Sequence, residues 1–267
     1  MKKIYKYLIL IIMITSCEEK INWETNSGQI TRLVVDGIIT NERIRQQVSL
    51  FLPVKNLNET PYPVSGALVV ITDQEDFYLL SEEPGIPGTY LTEDTVQGVL
   101  GKVYTLYIRI REYEFFANSY MVPVGLLQKP NILPCDLNDQ YFHLLPESAG
   151  DPFMMHIYID WKNTSYCSDD MSCHARINHY HLNSIDVNEF FKPEKETVCF
   201  PLGTRIIRRK FSLNPEHQQF VRSMLMETEW RGGIFDVQQG NVITNLSQGA
   251  IGYFAASTVV TDTTLVE

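Results

Sequence analysis

The stretch "KVYTLYIRIREYEFFANSYMV", residues 102–122, indicates the fold class of the chain. Two runs rich in β-branched and aromatic residues flank the polar triplet of residues 111–113. Apolar and polar positions alternate in these runs, which is the pattern of strands with one buried face. The stretch therefore predicts a β-hairpin and favours an all-β protein.

Similar patterns fill the preceding residues. Turn-forming segments rich in Pro and Gly, "PYPVSG" and "PGIPG", separate further strand-like runs such as "RLVVDGIIT" (32–40), "QQVSLFLP" (46–53) and "ALVVITD" (67–73). About seven short strands within about ninety residues, without a helical period, are typical of an immunoglobulin-like sandwich. We therefore predict such a sandwich over residues 30–123.

The Pro-rich segment 124–136 predicts a linker, and residues 137–262 a second β-rich domain. The run "FMMHIYIDWKN" (153–163) alternates like a strand. One late α-helix is expected over residues 215–230, because Asn214 suits the N-cap and Pro215 the first helical position. The expected fold class is thus mainly β, with one helix in the second domain.

The N-terminus has the pattern of a lipoprotein signal peptide over residues 1–16. Its apolar run, Tyr7 to Ile14, is too short for a membrane-spanning helix. The residues Ile14-Thr15-Ser16 before Cys17 resemble a bacterial lipobox, which marks Cys17 as the lipidation site. Residues 17–29 would then form a tether, and its acidic start resembles the signal that exports Bacteroidota lipoproteins to the cell surface. The predicted location is the outer membrane, lipid-anchored and facing outward.

The formal net charge is −10, and no long basic run occurs, so nucleic acid is excluded as an expected partner. Four cysteines remain after Cys17, and an even number outside the cytoplasm suggests two disulfides. Three pairings are open. We favour Cys167–Cys173, which closes a short loop, together with Cys135–Cys199.

The segment "CSDDMSCHARINHYH" (167–181) also has a metal-binding interpretation. Cys and His residues at short spacings can bind zinc, and His179 and His181 would share one face of a strand. The candidate ligands are Cys167, Cys173, His174, His179 and His181. The spacing of the two cysteines is wider than in a usual zinc knuckle, and an oxidising location favours a disulfide.

The chain has no G-x-S-x-G, H-E-x-x-H or S-x-x-K motif and no glycine-rich phosphate loop. We therefore expect a non-enzymatic protein without a cofactor. The basic run "RIIRRK" (205–210) favours an edge strand protected by charge, and contact with lipid phosphates or an acidic partner is the alternative. Two Asp-Thr-x triplets resemble the Bacteroidota O-glycosylation sequon, which makes Thr95 and Thr263 candidate sites.

Several motifs together resemble the Bacteroidota outer-membrane lipoproteins of the domain of unknown function 4249 family. They are "LVVDGIIT", "VSGALVVITD", "GTYLTED" before "GKVYTLYI", and above all "GGIFDVQQGNVITN" followed by "GAIGYFAAS". The matching C-terminal positions are Gly233, Phe235, Gly240, Asn241, Gly252, Tyr253 and Phe254. Structural roles are expected for them, with ligand contact by Tyr253 or Phe254 as the alternative.

The resemblance implies an accessory surface lipoprotein that helps a TonB-dependent outer-membrane transporter to capture or admit an unknown ligand. It supplies no catalytic residue. Two alternatives remain open from the sequence: a structural or adhesive surface module, and a cryptic hydrolase or metal-dependent enzyme.

Overall fold

The computed structural model describes residues 32–54, 56, 58–135, 138–168, 172–183, 196–230 and 242–267, without the side chains of 138 and 139. Arg32–Glu267 form one compact unit. The predicted leader, Cys17 and tether lie outside the described residues. Within the described residues, the mainly β fold with one late helix is confirmed.

The largest sheet has nine strands, and we call it the large sheet. Its strands are β1 (Leu33–Thr40), β2 (Gln47–Leu52), β3 (Tyr62–Pro63), β4 (Leu68–Thr72), β5 (Phe77–Glu82), β6 (Thr89–Thr92), β7 (Val103–Ile110), β8 (Tyr113–Tyr120) and β15 (Ala250–Ser257). Their hydrogen-bonded order is β15-β1-β2-β6-β5-β4-β7-β8, with β3 beside β2.

Strand alternation decides which side chains form the core of the large sheet. In β7, Leu106 and Ile108 are fully buried, whereas Thr105 and Tyr107 between and beside them are not. The predicted hairpin of β7 and β8 is confirmed, and Arg111 at its tip has a positive φ of 54°. Its two-residue turn, Arg111-Glu112, fits the tight connection of antiparallel neighbours.

The two ends of the large sheet approach each other. The side chain of Asn245 lies between them and donates to the backbone oxygens of Asn118 in β8 and Phe254 in β15, both at 2.8 Å. Ala256 N–H also donates to Ser119 Oγ at 2.9 Å. The strands thus follow one curled path, and the immunoglobulin-like arrangement of two separate sheets is not confirmed.

The described residues form two further, smaller sheets. The three-stranded sheet has the order β13-β10-β9, and the four-stranded sheet the order β12-β11-β14-β16. Their strands are β9 (Asn131–Cys135), β10 (Asn138–Leu145), β11 (Phe153–Asp160), β12 (His174–His181), β13 (Phe200–Pro201), β14 (Arg205–Ser212) and β16 (Val259–Leu265). Phe153, Met155, Ile157, Ile159 and Ile206 form the core of one face of the four-stranded sheet.

Helix α1 (Pro215–Thr228) lies within the range predicted from the sequence. The Asn214 side chain accepts from His217 N–H at 2.8 Å and caps its first turn, as expected. Val221 and Leu225 are buried beside Trp230, and Phe220 and Met224 pack against this cluster. Among the described residues, no helix combines the length and the apolar character needed to cross a bilayer.

The chain returns from the second half to the large sheet through β15, which pairs in parallel with β1. This pairing needs Gly252: its φ is +95°, and a Cβ atom there would lie 2.0 Å from the Val35 oxygen. The predicted boundary at 124–136 therefore separates two regions that share a sheet, and the expected linker itself contains β9. Thr258 alone separates β15 from β16.

Candidate functional site

A cleft of about 610 Å³ lies between the large sheet, the four-stranded sheet and α1. We call it the central cleft. Its lining comes from both sheets and the helix, and includes Val34, Asp36, Ile38, Gln47, Met154, His156, Tyr180, Arg209, Phe211, His217, Phe220, Met224 and Tyr253. The lining combines apolar side chains with a few polar ones, which is the composition of small-molecule sites.

The large sheet contributes the face of β1 that alternation turns away from its core. Val35 and Ile39 are fully buried in the core, so Val34, Asp36 and Ile38 lie on the opposite face. Asp36 is the register partner of Tyr253 on β15. Its carboxyl is open to the cleft, yet the surrounding protein removes much of its hydration and raises its pKa.

The four-stranded sheet contributes the face opposite its core. His156 on β11 is the register partner of Arg209 on β14, and Met154 that of Phe211. The ring of Phe211 lies 4.9 Å from that of His156, and the Arg209 guanidinium lies 5.2 Å from the Phe211 ring centroid. Burial, and secondarily the charge of Arg209, lower the pKa of His156. This imidazole is therefore neutral at physiological pH.

Three rings stack where α1 meets β15. Tyr253 lies 4.6 Å from His217 and 4.8 Å from Phe220, centroid to centroid. Burial lowers the pKa of His217 to about 3, so the imidazole is neutral. Burial also raises the pKa of Tyr253, and Glu216 adds to this effect, so the phenol keeps its proton. The three rings form an uncharged aromatic wall.

The two arginines of the cleft are already paired. Arg209 forms an ion pair with Glu42, and Arg45 with Glu83 at 3.1 Å. The side-chain carboxylate of Asp36, in contrast, has no hydrogen-bond or ion-pair partner among the residues that the structure describes. No described side chain therefore compensates the negative charge of Asp36.

The basic run 205–210 is paired throughout. Arg205 contacts Asp160, Arg208 contacts Asp262, Arg209 contacts Glu42 and Lys210 contacts Glu147. The interpretation as an edge strand is wrong, because β14 lies between β11 and β16. Arg208 and Lys210 share the buried face of β14 with Ile206. These cations therefore pair with acids on neighbouring segments.

The cysteines form two disulfides, Cys135–Cys199 and Cys167–Cys173, which is the pairing favoured from the sequence. The zinc interpretation is wrong for Cys167 and Cys173, since a disulfide leaves no thiolate to bind metal. His174 is exposed on β12, and His179 Nε2 lies 2.8 Å from the backbone carbonyl oxygen of Glu147. The described residues contain no group of three or more His, Cys, Asp or Glu side chains arranged for a metal ion.

Three of the family-motif positions are described: Gly252, Tyr253 and Phe254. Gly252 permits the close approach of β15 to β1, and Phe254 is fully buried in the core. Tyr253 is 5% exposed and lines the cleft. The other four, Gly233, Phe235, Gly240 and Asn241, lie outside the described residues.

The two candidate glycosylation sites are both exposed. Thr95 lies in the turn after β6. Thr263 lies in β16, opposite Ile207. The second region accordingly continues past residue 262 to the end of that strand at Leu265.

Sequence reasoning missed Asp36, His156 and His217 as cleft residues. A signal for Asp36 was present, because it is the one acid within the apolar run "LVVDGII". Alternation would place it on the face of β1 away from the core. This face of β1 meets β11 and α1 through long-range contacts, and local sequence patterns do not predict such contacts.

A family model described as "Domain of unknown function (DUF4249)" matches residues 18–263. Because this match covers nearly the whole chain, the protein belongs to that family. No curated protein is significantly similar to the chain.

Proposed function

We propose that this DUF4249 protein is a cell-surface lipoprotein that captures a small ligand and passes it to a TonB-dependent outer-membrane transporter. The observation that carries the ligand-binding part is the central cleft. Its volume of about 610 Å³ falls within the range of small-molecule sites, roughly 300–1,000 Å³. It also combines an aromatic wall with a few polar groups, which suits selective binding.

The proposed location rests on the sequence of the N-terminus. A short leader ends at Cys17 in a lipobox-like context, and acidic residues follow. Two disulfides are compatible with an oxidising compartment outside the cytoplasm. We propose a lipid anchor at Cys17 in the outer leaflet of the outer membrane, with the folded unit outside the cell.

We also propose that the protein binds without catalysing a reaction and without a cofactor. The sequence lacks the hydrolase motifs named above, and the family resemblance supplies no catalytic residue. The transporter part of the proposal rests on that resemblance.

An adhesive or structural module is the alternative, and one observation favours it. A row of apolar side chains crosses the outer face of β5, β4, β7 and β8: Leu79, Val70, Tyr107 and Phe116, each the register partner of the next. Leu79 and Phe116 are exposed. Exposed apolar rows of this kind often mark protein contacts.

The test of the transporter role is purification of the tagged full-length protein from outer membranes in mild detergent. We expect a TonB-dependent transporter to co-purify in stoichiometric amount. A partnerless lipoprotein would overturn the accessory role and leave the adhesive alternative. Fractionation of Cys17→Ala tests the anchor: the variant should leave the membrane fraction, and persistent attachment would contradict lipidation at this residue.

The test of ligand capture is native mass spectrometry of the same preparation. Val34→Trp places a large ring on the cleft face of β1, and Val103→Trp places one on the exposed start of β7. We expect a co-purified small molecule to be lost from the first variant and retained by the second. Equal retention would show that the ligand binds elsewhere.

A further inference from the structure

We infer that the central cleft selects a small organic ammonium ion whose apolar or aromatic body lies against its rings, with Asp36 as the counter-charge. This inference rests on the proposed ligand-binding function and adds the chemical class of the ligand. It starts from the position of one carboxylate, from the pairing of its charged neighbours and from the chemistry of the wall opposite.

The first step is the charge balance of the lining. Arg209 and Arg45, its two arginines, are paired with Glu42 and Glu83. Asp36 has no such partner in the described part of the chain. It lies on the cleft face of β1, beside Tyr253. A ligand that enters the cleft therefore meets one uncompensated negative charge.

The second step is the cost of that isolated charge. A carboxylate that loses hydration without gaining a hydrogen bond or a cation is destabilised. The raised pKa of Asp36 has this cause. An ammonium group at the carboxylate would restore both a charge partner and hydrogen bonds, so its binding is favoured. An anionic ligand of the same shape would be repelled.

The third step concerns the two imidazoles of the lining, which carry no positive charge that would repel an ammonium ion. His156 and His217 line the cleft, and burial lowers the pKa of each, with Arg209 adding to the effect at His156. Both are therefore neutral near pH 7. The stacked rings of His217, Phe220 and Tyr253 present a surface that suits an aromatic or aliphatic body. Aromatic faces also attract cations, which adds to the preference for ammonium.

Two methionines provide a local reporter. Met154 and Met224 line the cleft, whereas Met155 is buried on the opposite face of β11 and does not. The experiment uses the full-length protein in lipid nanodiscs, labelled with ¹³C at the methionine methyl groups. Three probes of matched size are titrated: 2-phenylethylammonium, 2-phenylethanol and 3-phenylpropionate. Empty nanodiscs correct for partition of the probes into lipid.

We expect 2-phenylethylammonium to shift the Met154 and Met224 signals, and not that of Met155, with at least tenfold higher affinity than the alcohol. The carboxylate should bind more weakly still. Asp36→Asn keeps the shape of the side chain and should reduce the preference for ammonium over alcohol to less than twofold. Asp76→Asn, an exposed acid in the turn before β5, is the matched control and should keep the preference.

Equal binding of ammonium and alcohol in the unchanged protein would overturn the charge selection while leaving ligand capture intact. A preference that survives Asp36→Asn would overturn the role of Asp36. If no probe shifts the two cleft methionines at about 10 mM, the inferred ligand class is wrong. The transporter role is judged separately by co-purification, so its failure is distinguishable from these outcomes.

Discussion

The large sheet and the second region are held together by different means. The large sheet has an apolar core of fully buried side chains such as Val35, Leu50, Ile71 and Leu106. The second region divides its apolar residues between two smaller clusters, one under the four-stranded sheet and one under α1. It also contains both disulfides and the buried Lys210–Glu147 pair.

The comparison indicates how a region with smaller apolar clusters is stabilised by other interactions. Small sheets bury less apolar surface per residue, and cross-links that restrict the unfolded chain offset part of that deficit. The second region should therefore be sensitive to the loss of individual cross-links. The large sheet should depend on strand pairing, above all on the strand that returns from the second region.

The largest effect is expected from Gly252→Ala, which attacks the pairing of β15 with β1. The new Cβ would lie 2.0 Å from the Val35 oxygen, so the strands must separate. We expect a loss of more than about 4 kcal/mol in the free energy of unfolding, or no soluble protein. Urea denaturation measures it.

Gly150→Ala is the matched control for Gly252→Ala. Its φ is also positive, at +105°, but no atom lies within 4 Å of the added Cβ. It should cost only the backbone strain of about 1–2 kcal/mol. Equal losses in both variants would mean that β15 does not approach β1 as closely as the structure indicates.

The next effect comes from the disulfides of the second region. Cys135 and Cys199 join the two flanks of the three-stranded sheet and are 64 residues apart, whereas Cys167 and Cys173 are 6 apart. By loop entropy, replacing the first pair with Ser should cost about 4 kcal/mol and the second about 2 kcal/mol. Thermal unfolding of both double variants tests this. The reverse order would show that the long loop retains structure when unfolded.

Glu147→Gln should cost about 3 kcal/mol, because it leaves the Lys210 ammonium buried without its charge partner. Lys210 also lies 4.3 Å from the centre of the Phe153 ring, inside the core of the four-stranded sheet. The combined change Lys210→Met with Glu147→Leu should recover most of the loss. A double-mutant cycle in urea measures the coupling. Additive costs would show that the pair is not a unit.

A further effect, which depends on pH, is expected at the junction of the two regions. His217 remains neutral in the fold down to about pH 3, whereas it titrates near 6.5 when unfolded. The unfolded state therefore binds one more proton between these values. The free energy of unfolding should fall as the pH falls from 6.5 towards 3, by up to about 1.4 kcal/mol per pH unit from this group.

His217→Phe should flatten the pH dependence over this window, since the variant has no proton to gain at this position. His174→Phe, on the exposed face of β12, is the control and should leave the slope unchanged. Urea denaturation at pH 4.5, 5.5 and 6.5 provides the comparison. Parallel slopes in the unchanged protein and His217→Phe would mean that His217 is not buried in its neutral form.

Local sequence predicted the features that depend on near neighbours. The hairpin of β7 and β8 followed from alternation, and the start of α1 from Asn214 and Pro215. The alternation of the run 153–163 predicted a strand where β11 lies.

The features that sequence did not predict depend on distant contacts. The parallel pairing of β1 with β15 joins residues more than 200 positions apart, and no local pattern reveals it. Without that pairing, Asp36 and Tyr253 could not be recognised as neighbours. The central cleft was missed for the same reason, because three distant segments form it. Tyr253 was singled out only through the family motif.

The arrangement of the last two strands has a consequence for how the protein is made. Residues 250–265 supply one strand to the large sheet and the next to the four-stranded sheet. A chain emerging from the ribosome, N-terminus first, therefore cannot finish either sheet until these residues are released. Assembly must wait for the whole polypeptide, because non-local pairings form late. Until then one flank of β1 stays unpaired, and a polypeptide cut short before residue 250 would leave both sheets incomplete.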